Sequence, residues 1–181
     1  MDVWIFTLLN DEVLWQTRMA LTAANDMEAA LEANDSASSK ADELHAQHRF
    51  WCATQTFLSA SANLSKLLVT PRDGEAADER EFLRKKLHLP HDSPLLDREL
   101  RNHFEHYDSR IIKLARQHPD AGSTDALFGH PDEYGPYAHH ILRCFDPQEQ
   151  KFWFHGKPFP LRPWVEALRD VRALAQETRP Y

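Results

Sequence analysis

From Val3 to Ala33 the chain runs without a glycine or a proline, and Ala, Leu and Met are abundant throughout. Those two residues are the usual interruptions of regular structure, so their absence over this length commits the segment to one long helix. Leu14, Leu21, Ala24 and Leu31 recur at helical spacing and predict an amphipathic helix. "ANDSASSKADE" then supplies turn and N-cap chemistry. A second long helix is expected from about Ser39 to Val69. Phe50, Thr54, Phe57, Ser61, Leu64 and Leu68 line one of its faces, and Ser59, Ala60, Ser61 and Ala62 allow close approach to the first helix.

"TPRDG" ends that helix, and a short charged helix from Asp78 to Leu87 follows. In "LPHDSPLL", Ser93 before Pro94 reads as an N-cap followed by proline at the first helical position. A third main helix is then expected from Pro94 to about Gln117. "HPDAGSTDALFGHPDEYGPY" is a long loop. Beyond it, Ile141, Arg143 and Phe145 lead through "DPQEQ" to Phe152, Trp153 and Phe154, two short β runs about a turn. "RPWVEALRDVRALAQ" closes the chain as a helix with Trp164, Leu168, Val171 and Ala175 on one face. The expected fold class is all-α: an antiparallel up-down bundle of about four main helices, with a small β-hairpin at about 139–160 before the last helix. The 181 residues suffice for a single domain with a real core.

Charge narrows the function classes. The chain has 28 acidic against 21 basic side chains, a formal net charge of −7. Broad nucleic-acid grip requires the opposite balance, so any contact with RNA must be local. The two cysteines, Cys52 and Cys144, are too few for a disulfide framework and suit a reduced compartment. The start, "MDVWIFTLLNDE", has no basic leader, and no apolar run reaches membrane-spanning length. The expected location is cytoplasmic, without membrane association.

The chemistry concentrates in "RNHFEHYD", Arg101 to Asp108. At about 100° per residue, Leu96, Leu100, Phe104, Tyr107, Ile111 and Leu114 form one stripe that should face the core. Asn102, His106, Ser109 and Arg110 fall on the opposite side, Arg101, Glu105 and Asp108 on one flank, and His103 borders the stripe. A mixed-charge helix face is ordinarily just solvated. A metal site is disfavoured, because His103 and Glu105 point to different sides and no second ligand pair accompanies them; His45/His48 and His139/His140 add no convergent set. No metal or other cofactor is expected.

"RNHFEH" resembles the R-x(4–6)-H signature of the HEPN superfamily, with a polar Asn102 after the arginine. "FWCATQTFLSASANLSKLL" and "LRNHFEHYDSRI" are similar to segments of bacterial HEPN-like proteins. The resemblance covers roughly Asp11 to Leu114, and the last helix more loosely. It implies a helical domain and a metal-independent endoribonuclease of a toxin–antitoxin or defence system. There, His106 would move the proton as a ribose 2′-hydroxyl attacks the adjacent phosphate, Arg101 would stabilise the growing charge, and Asn102 would position the group. Arg101 and His106 leave the helix roughly 140° apart, so the site would be completed by a second copy across a homodimer interface. Lys66 and Arg110 would bind substrate, and an antitoxin protein is an expected partner. Tyrosine stands at 107 and Asp108 two residues after the histidine, a departure from the toxins regulated by tyrosine modification. The alternative is a non-catalytic dimeric scaffold or nucleotide- or protein-binding regulator. The aromatics Phe152, Trp153, Phe154, Phe159 and Trp164 are expected to seal the hairpin.

Overall fold

The computed structural model describes residues 2–69, 76–97, 99, 102, 106–117 and 125–179, with the backbone alone at 107, 136, 137, 139 and 140. The described chain is mostly helical and divides into two compact units, Met1–Arg101 with Trp164–Tyr181, and Asn102–Pro163.

The first unit is built on two long helices, α1 (Val3–Asp35) and α2 (Lys40–Leu68), packed against each other. Asp2 caps α1 by accepting the Trp4 N–H at 2.9 Å. Ser39 caps α2 by accepting the Asp42 N–H, while its own hydroxyl donates to the Asp42 carboxylate at 2.7 Å. On α2 the expected stripe is the observed one: Phe50, Thr54, Phe57, Ser61, Leu64 and Leu68 are all buried. On α1 it is displaced. Leu14, Leu21, Ala24 and Leu31 are only half-buried, and the seam runs through Phe6, Asn10, Val13, Thr17, Ala20, Met27 and Ala30. Small side chains occupy the line of closest approach, and the leucines pack along its edge.

A short helix, α3 (Ala77–Lys86), lays Leu83 into this core, and Phe82 meets Phe6 edge-on at 5.9 Å between ring centres. Pro94–Leu96 forms a single 3-10 turn that buries Leu95. Ser93 precedes it without a side-chain cap bond. The helix expected over Pro94–Gln117 is therefore interrupted: Asp97 is extended (φ −70°, ψ 128°), and its carboxylate accepts the Glu99 N–H at 2.7 Å. The last helix, labelled α5 (Leu161–Glu177), buries Trp164, Leu168, Val171 and Ala175 as expected.

The second unit holds α4 (Tyr107–Gln117) and a four-stranded sheet, β1 (Leu127–Phe128), β2 (Arg143–Asp146), β3 (Lys151–Phe154) and β4 (Lys157–Pro160), in the order β1-β2-β3-β4. The expected hairpin is β2–β3; the sheet extends it on both sides, so the fold is not purely all-α. β1 pairs parallel to β2, the other neighbours antiparallel. His155 and Gly156, at φ 50° and 74°, make the two-residue turn between β3 and β4. The aromatic set expected to act together is divided. Phe145, Phe152, Phe154 and Phe159 share one sheet face with ring centres 5.0–5.9 Å apart, whereas Trp153 alternates to the other face. The loop expected before the hairpin contains β1 and a 3-10 segment, Pro131–His140. No helix among the described residues is long and apolar enough to cross a membrane.

Candidate functional site

In the motif Asn102 is helical and His106 lies in the turn that leads into α4. The His106 N–H donates to the Asn102 carbonyl at 3.2 Å, and the Arg110 N–H donates to the His106 carbonyl at 3.1 Å. Successive i→i+4 bonds put Asn102, His106 and Arg110 one above another on a single face, with a drift of roughly 40° per step. His106 is exposed; Asn102 and Arg110 are half-buried. The Ser109 hydroxyl donates to the same His106 carbonyl at 3.0 Å, which tightens the turn beneath the imidazole. Neither the His106 ring nor the Arg110 guanidinium has a hydrogen-bond or ion-pair partner among the described residues.

The same face continues into α4, where Ser109, Ile112, Lys113, Arg116 and Gln117 border a shallow hollow of about 440 Å³. Two cations of this helix act on a histidine that the sequence did not single out. Burial holds the His155 pKa below the usual imidazole range, and the Arg110 and Lys113 charges depress it further against the opposing pull of Asp125. Asp125 in turn meets the Arg143 guanidinium, Nη2 to Oδ2 at 3.0 Å and Nε to Oδ1 at 2.8 Å. The signal for His155 is its place in a tight turn with Gly156, a position where asparagine is more familiar.

No known protein family, curated protein or solved structure matches the chain.

Of the residues assigned to the site by sequence, Asn102, His106 and Arg110 lie on one helical face of the second unit. Lys66 is exposed in the last turn of α2, in the first unit, where it complements the helix dipole. Arg101, His103, Phe104 and Glu105 lie outside the described residues. Of the apolar stripe expected beneath the face, Leu114 is buried, Leu96 half-buried and Ile111 exposed, while Leu100, Phe104 and the Tyr107 side chain lie outside the described residues. A second polar cluster, His130 with Asp146 and Glu149, sits at the far end of the sheet's β2–β3 turn. His130 comes to it from 16 residues before Asp146, a separation no short motif could announce.

Proposed function

We propose that the chain is a HEPN-type protein directed at RNA or a nucleotide, with His106 as proton-transfer group, Arg101 as the phosphate-holding cation and Asn102 as positioner. Arg110 supplies further positive charge toward the substrate. The observation that carries this reading is the single-face alignment of Asn102, His106 and Arg110, with an exposed imidazole that no carboxylate neutralises among the described residues. An imidazole in that condition can take a proton from a 2′-hydroxyl and return one to the leaving 5′-oxygen, while a guanidinium stabilises the pentacoordinate phosphorane between those steps. The site is composite on this reading, because helical spacing in the sequence would set Arg101 and His106 roughly 140° apart. A second copy of the chain brings its own pair to face the first, so the active form is a homodimer of HEPN-like helical bundles. An antitoxin partner in the same compartment follows from such an activity.

Induced expression of wild type beside His106→Ala and Arg101→Ala, with RNA integrity as readout, tests the reading. Wild type should cleave RNA to 2′,3′-cyclic phosphate ends, and each variant should lose activity by roughly 100-fold or more. Intact RNA with all three proteins sinks it.

The second reading is a non-catalytic scaffold or regulator. Val3, Trp4, Leu8 and Trp15 favour it, being large apolar residues between 51% and 69% exposed on α1.

A further inference from the structure

The geometry points to a divalent transition-metal site, of the zinc type, held by His130, Asp146 and Glu149 in the second unit, separate from the His106 face. One ligand atom from each residue lies within 4.8 Å of the other two. A tetrahedral ion with Zn–N and Zn–O bonds of about 2.1 Å holds its ligands about 3.4 Å apart, so closure requires only side-chain rotation. The donor set of one imidazole and two carboxylates suits zinc and its first-row neighbours, and leaves a position for water.

Two observations beyond proximity support a cation. Asp146 is only 4% exposed and has no ion-pair partner among the described residues: one oxygen, Oδ1, accepts the Gln148 and Glu149 N–H groups at 2.9 and 3.1 Å, and the other accepts from none of them. Buried carboxylates are normally paired with a cation or bound to a metal. The local field is strongly negative besides, because Asp132 and Glu133 flank His130 and the Glu133 carboxylate accepts the His130 N–H at 3.0 Å.

The frame around His130 is rigid. Gly129 donates to the Phe145 carbonyl at 2.9 Å, which ties the segment to β2 directly beside Asp146. Gly129 has φ +120°, and a Cβ there would stand 2.7 Å from the Glu133 carboxylate, so only glycine permits this cap. Trp153 packs edge-on against the imidazole, with ring centres 4.9 Å apart. Nδ1 of His130 accepts the Asp132 N–H at 3.2 Å and lies 3.4 Å from the Asp132 carboxylate. Metal on Nε2 would move the ring proton to Nδ1, exchanging the hydrogen bond accepted from the Asp132 N–H for one donated to the Asp132 carboxylate. Glu149 binds Lys151 through Oε2 at 2.9 Å and keeps Oε1 for the ion.

Titration of the full chain, freed of metal by chelator, with Zn²⁺ in a calorimeter tests the site, with Co²⁺ absorption as a second probe. One ion per chain should bind with micromolar affinity. Asp146→Asn keeps an acceptor for the turn amides, Glu149→Gln alters an exposed group, and His130→Asn still caps the 3-10 segment; each should weaken binding by roughly 100-fold while circular dichroism is unchanged. A His45→Ala/His48→Ala control should bind as wild type. Absence of a stoichiometric site, or undiminished affinity in the three cluster variants, overturns the assignment.

Discussion

The side-chain amide of Asn10 donates a buried hydrogen bond of 2.8 Å to the carbonyl of Ala175, across 165 residues of sequence. It fastens the first helix to the last within the first unit. The Ala175 carbonyl belongs to the final turn of α5, where intrahelical donors run out. Asn10 is fully buried, and its own carbonyl oxygen has no partner among the described residues. Asn10→Ala removes both amide atoms and leaves the buried Ala175 carbonyl unsatisfied, so it should cost about 1–3 kcal/mol in urea unfolding. Asn10→Asp should cost more, because it sets a carboxylate against a carbonyl oxygen.

The two thiols should separate cleanly in reactivity. Cys52 is exposed on α2, 3.8 Å from the His48 Nε2, whereas Cys144 is buried in β2. Burial, then the negative charges of Asp146 and Glu133, pushes the Cys144 thiol up to about 12. The thiolate is the reactive form. Native protein at neutral pH should consume a single equivalent of Ellman's reagent, and Cys52→Ser should abolish that reaction. Fast modification of both thiols in native buffer would contradict the burial of Cys144.

How much of this was legible in the sequence depended on side-chain size. α2 and α5 announce their buried faces with Phe, Leu and Trp at helical intervals, and the structure buries those residues. α1 does so less plainly, because small or polar residues (Asn10, Thr17, Ala20 and Ala30) share its seam with Phe6, Val13 and Met27, and its leucines sit beside it. β4 was hidden by Pro158 and Pro160, which an edge strand tolerates and a central one does not. β1 was too short to show a period. Of the candidate site, the outward face of Asn102, His106 and Arg110 follows from helical spacing alone, whereas His155 and the His130 cluster come together only through strand pairing.

The α1–α2 seam also carries polar groups without partners. The hydroxyls of Thr54, Ser61 and Ser65 are buried and make no hydrogen bond among the described residues. These groups give up water and gain nothing in return. Ser61→Ala and Thr54→Val should each raise stability by about 1 kcal/mol, read as a higher urea midpoint with an unchanged slope. A fall in midpoint would mean that the hydroxyl has a partner in solution.

His155 gives the sheet unit a pH response of defined sign. Its folded pKa lies below the ordinary imidazole value, chiefly through burial and then through Arg110 and Lys113. The unfolded chain therefore takes up a proton at this residue before the folded chain does, as pH falls from about 6.5. The stability associated with neutral His155 is fully present above that pH and is lost as pH falls toward the folded pKa. His155→Gln should flatten the decline in urea midpoint between about pH 7 and pH 5 relative to wild type. Arg110→Gln tests the cause directly, since removing that charge should raise the His155 pKa seen by proton NMR, while burial keeps it below the unfolded value. If Arg110→Gln leaves the titration where it was, Arg110 and His155 are not electrostatic neighbours, and the cationic surface assigned to α4 loses its link to the sheet.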